Sequence, residues 1–82
     1  MIFVSPTVLR VGGFRFYFFS REEARMHVHV HHADGEAKFW LEPRVEVAIN
    51  HGLNTTQLNQ ARKLVEENLD AIRASWAKHF SG

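Results

Sequence analysis

The stretch Met26–Leu41, MHVHVHHADGEAKFWL, decides how this chain folds. It reads as two short strands around a tight turn. Asp34-Gly35 suits a two-residue type I′ loop, because both central residues of such a loop need positive φ. That turn pairs Ala33 with Glu36, His32 with Ala37, His31 with Lys38, Val30 with Phe39, His29 with Trp40 and Val28 with Leu41. Side chains alternate between faces, and opposed residues share one. Val28, Val30, Ala37, Phe39 and Leu41 then form an apolar face; His27, His29, His31, Lys38 and Trp40 form the other. A one-residue slip would mix Phe39 with the histidines, so the clean sorting supports the register.

A second hairpin precedes it. Thr7–Val11 and Phe14–Phe19 flank Gly12-Gly13, another two-residue turn signal. The implied register pairs Val11 with Phe14, Arg10 with Arg15, Leu9 with Phe16, Val8 with Tyr17 and Thr7 with Phe18. Leu9, Val11, Phe14, Phe16 and Phe18 face one way; Val8, Arg10, Arg15, Tyr17 and Phe19 face the other. Arg10 opposite Arg15 is unusual, since like charges directly opposed on a sheet destabilise it. The guanidiniums either splay into water and pair with Glu22, Glu23 or Glu36, or wait for an anion such as a phosphate or a partner's carboxylate. Met1–Pro6 reads as a lead-in, with Ile2-Phe3-Val4 able to add an edge strand. Ser20–Arg25 reads as a polar loop or one helical turn.

After Pro43, Arg44–Ile49 alternates again, with Val45, Val47 and Ile49 on one side, and predicts a fifth strand. Asn50-His51-Gly52 predicts a turn. The last third is helical. Asn54 suits an N-cap, Gln57 completes a capping box, and Leu53 with Leu58 makes a hydrophobic staple. Leu58, Ala61, Val65, Leu69, Ile72, Trp76 and Phe80 recur every three or four residues as one apolar stripe. A continuous helix from Thr55 to Phe80 would be roughly 39 Å long at 1.5 Å per residue. Five strands of about six residues span only about 20 Å. Either the helix breaks near Asn68-Leu69-Asp70, with Asp70 capping the second piece, or Trp76 and Phe80 overhang the sheet and invite a homodimer or a partner.

The expectation is therefore one α+β domain over residues 1–82. An antiparallel sheet of four or five strands within residues 7–49, built on two tight hairpins, packs on a long C-terminal helix, or two helices end to end, within 54–80. The expected core is Leu9, Phe14, Phe16, Phe18, Val30, Phe39, Leu41, Val47, Leu58, Val65, Leu69 and Ile72.

Composition narrows the function classes. The 82 residues include no cysteine, which excludes disulfides and thiolate metal sites and fits a cytoplasmic protein. No apolar run approaches the ~18 residues of a membrane-spanning helix. The formal net charge is +1, so any electrostatic case rests on local clustering. No P-loop, dinucleotide fingerprint, nucleophile elbow or zinc finger occurs.

Three chemistries remain. Alternate histidines on a strand lie about 6.6 Å apart and point the same way. His27, His29 and His31 could thus share a divalent metal, with Glu36 or His51 contributing; the ordinary alternative is surface histidines stacked on Trp40 and Tyr17. No cofactor is expected beyond an adventitious metal ion. A histidine pair with cations, His29 and His31 beside Arg15 and Lys38, is the sketch of an acid–base catalyst of RNA cleavage. A surface of Arg10, Arg15, Tyr17, His27, His29, Lys38 and Trp40 mixes cations with flat rings, as single-strand-binding surfaces do.

The segments Thr7-Val8-Leu9-Arg10, Gly12-Gly13-Phe14-Arg15-Phe16-Tyr17-Phe18-Phe19-Ser20, His27-Val28-His29-Val30, Ala37-Lys38-Phe39-Trp40-Leu41, Asn50-His51-Gly52-Leu53 and Trp76-Ala77-Lys78-His79-Phe80 together resemble a family of small bacterial proteins of unknown function. Many members carry a Pro-Pro pair before the first histidine, where this chain has Arg25-Met26. The resemblance implies a compact α+β fold. It also implies a gene set beside that of a second small protein, in pairs that look like toxin–antitoxin modules. It implies no established activity and no catalytic residues. The leading functional expectation is thus an interaction protein in such a pair. A small histidine-dependent nuclease or hydrolase, and a nucleic-acid-binding module, are the alternatives.

Overall fold

The computed structural model describes residues 4–19 and 24–80. Five strands run β1 (Val4–Val11), β2 (Phe14–Phe19), β3 (His27–His32), β4 (Gly35–Trp40) and β5 (Glu46–His51), followed by α1 (Thr55–Glu67) and α2 (Leu69–Phe80). The strands form one antiparallel meander in the order β1-β2-β3-β4-β5. The α+β fold is as expected. The strands occupy residues 4–51 rather than 7–49, because β1 starts at Val4 and β5 runs from Glu46 to His51 instead of Arg44 to Ile49. The expectations for Met1–Phe3 and for Ser20–Glu23 lie outside the described residues.

The first hairpin turns on Gly12 (φ 55°) and Gly13 (φ 84°), the positive values that a primed two-residue turn requires. Arg10 opposes Arg15 and Leu9 opposes Phe16, as the turn predicts. Beyond Leu9 the register shifts, and Thr7 opposes Tyr17 instead of Phe18. A β-bulge makes two residues face one. Here it frees Val8 from the Tyr17 side and lets it pack against the core beside Leu9.

The second hairpin differs from the sequence reading. His32 opposes Gly35, His31 opposes Glu36, His29 opposes Lys38 and His27 opposes Trp40. The two-residue loop is Ala33-Asp34, and neither residue nor Gly35 has a positive φ. Moving the loop by one residue slides the pairing by two. An even slip leaves every side chain on its face, so Val28, Val30, Ala37, Phe39 and Leu41 are all buried as the alternation demands. Gly35 is needed for a different reason from the one its Asp-Gly context suggests. A Cβ there would strike the His51 carbonyl oxygen and the Gly52 backbone, whose Cα would lie 2.9 Å away.

A further bulge separates Lys38, opposite Ile49, from Phe39, opposite Val47. Val47 and Ile49 therefore do not share a side as simple alternation implies. Val47 packs against the core, whereas Ile49 is 44 % exposed beside Lys38.

The helices cover the Phe-rich face. Asn54 caps α1: its Oδ1 accepts from the Gln57 N–H at 2.8 Å, and Gln57 Oε1 accepts from the Asn54 N–H at 2.9 Å. Leu53 is buried and Leu58 packs on the core, as a staple requires. Helix and hairpin are tied where Gln57 Nε2 donates to Asp34 Oδ2 at 2.7 Å. The helical stretch breaks at Asn68, one of the two expected outcomes. Asn68, and not Asp70, does the capping. Its Nδ2 donates to the Leu64 carbonyl at 2.8 Å, closing α1, while its own carbonyl accepts from the Ile72 N–H at 2.9 Å, opening α2.

The break lets α2 turn back onto the sheet. Trp76 is buried, with its ring 5.4 Å from that of Phe18 and 4.3 Å from that of the half-buried Phe80. The overhang that would have invited a homodimer through the C-terminal helix is therefore absent. The core gains Val28, Ala37, Leu53, Ala61 and Trp76 over the expected set, while Leu9, Val47, Leu58 and Leu69 sit at its margin.

Candidate functional site

The face turned away from the helices carries the polar half of each strand. Register places its side chains in rows across the sheet. The first row runs Arg10, Arg15, His31, Glu36 and His51, one residue from each strand. The second runs Thr7, Tyr17, His29, Lys38 and Ile49. The third holds His27, Trp40 and Glu46 on β3, β4 and β5.

The second and third rows are a stack of rings and cations. Tyr17 lies flat on His29, with centroids 5.4 Å apart, and Phe19 tilts onto His29 at 4.3 Å. The Arg15 guanidinium sits 4.6 Å from the Tyr17 centroid, and the Arg15 Nε–H donates to Thr7 Oγ1 at 2.7 Å. Tyr17 is buried in this stack, on the face turned away from the helices. Trp40 is held between two cations, Arg25 at 4.2 Å and Lys38 at 4.4 Å from its centroid. Arg25 reaches there because its Nε and Nη2 both donate to the Glu42 carbonyl, at 3.2 and 3.0 Å.

All the expected surface residues, Arg10, Arg15, Tyr17, His27, His29, Lys38 and Trp40, belong to these rows. His27 is the one whose environment differs. It is fully buried, and its rings neighbours are Trp40 at 5.6 Å and Trp76 at 5.2 Å. Its Nδ1–H donates to the Arg25 carbonyl at 2.7 Å, so this nitrogen is already committed. Among the described residues no three His, Asp or Glu side chains come together in a way that could hold a metal ion. His27, His29 and His31 alternate along one strand without converging.

The four candidates for acid–base chemistry are brought together in pairs. Arg15 directly opposes His31, and His29 directly opposes Lys38. The two pairs occupy adjacent rows of one face. A shallow cleft of about 110 Å³ beside the second pair is lined by His29, Glu36, Lys38, Ile49 and His51. A larger one of about 320 Å³ at the Gly12-Gly13 hairpin takes in Arg10, Arg15 and His31.

Four residues of the face escape the sequence pattern. Alternation puts Thr7 and Ile49 on the core side, and local signals put His51 in a turn and Arg25 in a polar loop. Bulges in β1 and β5 and a long-range stack place them, and none of these leaves a pattern in the chain itself. No described helix is long and apolar enough to cross a membrane.

No curated protein and no solved structure matches this chain. A family model described as a domain of unknown function, DUF4160, matches residues 13–77. That span takes in the second strand of the first hairpin, the whole histidine hairpin, β5 and all but the last turn of α2, and so the chain belongs to the DUF4160 family.

Proposed function

We propose that this protein is the interaction component of a toxin–antitoxin-like gene pair and binds the small protein encoded beside it through the sheet face turned away from the helices. The observation that carries this reading is the make-up of that face. Phe19 is 43 % exposed and Ile49 is 44 % exposed, and they flank the half-exposed Trp40 and the Tyr17–His29 stack. Aromatic anchors and arginines rimmed by polar groups are the composition of protein-binding surfaces. Arg10, Arg15, Arg25 and Lys38 outnumber Glu36 and Glu46 there, so the partner should present an acidic surface.

The test is co-expression with the neighbouring gene product, followed by size exclusion with light scattering. Wild type is compared with Ile49→Arg and with the double variant His29→Ala/His31→Ala. A complex formed by wild type and lost in Ile49→Arg supports the reading. The absence of any complex, or a complex indifferent to both variants, overturns it.

The pairing of His31 with Arg15 and of His29 with Lys38 favours a second reading, a small histidine-dependent nuclease. Hydrolysis of single-stranded RNA by wild type, lost in His29→Ala with the fold retained, would support this reading over docking.

A further inference from the structure

The first row holds Arg10, Arg15 and His31 side by side, which the docking reading treats only as charge and the nuclease reading only as a pair. Arg10 and Arg15 are direct cross-strand partners, and His31 is the next residue in the row. Two guanidiniums so placed repel each other and cost the sheet some stability. Among the described residues, no carboxylate forms an ion pair with either arginine. Glu36 stands one strand beyond His31 and does not reach them.

Arg15 is nonetheless held in place. Its Nε–H is bonded to Thr7 Oγ1 at 2.7 Å and its guanidinium rests against the Tyr17 ring. These contacts fix the plane of the fork and leave both Nη groups free of any partner among the described residues. Arg10 and His31 are exposed beside it. All three line the cleft of about 320 Å³ at the Gly12-Gly13 turn, where the space next to Gly12 is open.

From this geometry we infer that Arg10, Arg15 and His31 form a binding site for a phosphate monoester. A carboxylate offers two oxygens and one charge, which a single guanidinium satisfies. A terminal phosphate offers three oxygens and a charge of about −1.5 to −2 at pH 7, which calls for two forks and a further donor. The site pre-aligns one fork, supplies a second directly opposite, and adds an imidazole from the third strand. Bound phosphate would also relieve the repulsion between the arginines. The inference shares residues with the docking and nuclease readings but requires neither of them.

The experiment is an amide NMR titration with a thermal-unfolding series, both at constant ionic strength set with chloride. The probes are inorganic phosphate, adenosine monophosphate, and an oligonucleotide with hydroxyl ends as a source of phosphodiesters. The variants are Arg10→Gln, which alters an exposed side chain, and Arg44→Gln as a charge-matched control. The two monoester-type probes should shift the amides of the Gly12-Gly13 hairpin and of His31. At ten times its dissociation constant, phosphate should raise the wild-type midpoint by roughly 5–10 °C. Arg10→Gln should bind at least tenfold more weakly while unfolding in chloride at the wild-type temperature or above it; Arg44→Gln should bind as wild type does. Failure of wild type to respond to tens of millimolar phosphate, or equal affinity in Arg10→Gln, would overturn the site. Tighter binding of the hydroxyl-ended oligonucleotide, per phosphate, than of adenosine monophosphate would overturn the monoester assignment.

Discussion

Replacing Gly35 by Ala separates two reasons for which a hairpin keeps a glycine. Gly35 does not have a positive φ, so an alanine there meets no intrinsic backbone penalty. Its added methyl would instead meet the His51 carbonyl oxygen, and would lie 2.7 and 2.9 Å from the Gly52 carbonyl carbon and Cα. These are backbone atoms at the end of the β4–β5 ladder, and they cannot swing aside as a side chain does. Overpacking of this kind typically costs about 1–3 kcal/mol, and a collision with three backbone atoms belongs at the upper end. In a domain of this size each kcal/mol lowers the unfolding midpoint by roughly 4–8 °C, so Gly35→Ala should lose roughly 10–20 °C. Gly12→Ala is the matched comparison. A methyl there meets nothing within 4 Å, and only its φ of 55° is unfavourable. The left-handed conformation costs a non-glycine residue about 1–2 kcal/mol. Urea unfolding followed by circular dichroism measures both, with the slope checked for constancy so that the midpoint reports stability. Gly35→Ala should be the more damaging of the two. If it unfolds within about 0.5 kcal/mol of wild type, the close approach of the β5–α1 turn to Gly35 is wrong, and with it the Ala33-Asp34 loop.

Other substitutions test other joints. Trp76→Ala removes a buried indole that packs on Phe18 and Phe80 and should cost about 3–5 kcal/mol in urea unfolding; a loss under 1 kcal/mol would restore the overhanging helix end. Asn54→Ala deletes the α1 cap and should cost about 1 kcal/mol, read from the same titration. Asn68→Ala, which loses the bond to the Leu64 carbonyl, should cost about 0.5–1.5 kcal/mol and reduce far-UV helicity at the α1–α2 junction. His27→Ala should destabilise by more than 1 kcal/mol because the ring is buried, whereas His31→Ala, which is exposed, should stay within about 0.5 kcal/mol; equal effects would contradict the different burial of these two histidines.

How much of this could be read from the chain follows from the period of each signal. Strand alternation has period two, so it fixes which face a residue occupies and is blind to a slip of two. That is why His29, His31, Lys38 and Trp40 were assigned to the correct face with the wrong partners. The turn chemistry meant to remove the ambiguity misled, because Gly35 answers to Gly52, seventeen residues further on, and not to its own loop. The first hairpin, whose glycines do serve its turn, was read correctly as far as Leu9. Its bulge left no mark in the sequence, and neither did the one that turned Ile49 outward. Local signals also located the helix start at Asn54 and narrowed the break to three residues. They could not say that Asn68 would end one helix and begin the next.

The candidate site inherits this division. Membership of the face is legible wherever no bulge intervenes, because it needs only parity; Thr7, Val8 and Ile49, beside the bulges, are the exceptions. Neighbourhood is not, because it needs register. In the sequence register His31 opposes Lys38. In the structure it stands between Arg15 and Glu36. His27 shows the remaining gap, since nothing in His-Val-His-Val distinguishes its first ring from its second. The distinction comes from Trp76, forty-nine positions away, which reaches His27 because the helix breaks at Asn68. A strand that looks like three equivalent histidines is therefore one buried structural residue, one stacked ring and one exposed donor. Of the three, only the exposed His31 stands in the row of Arg10 and Arg15, and there the like-charge pair has no ion-paired carboxylate among the described residues.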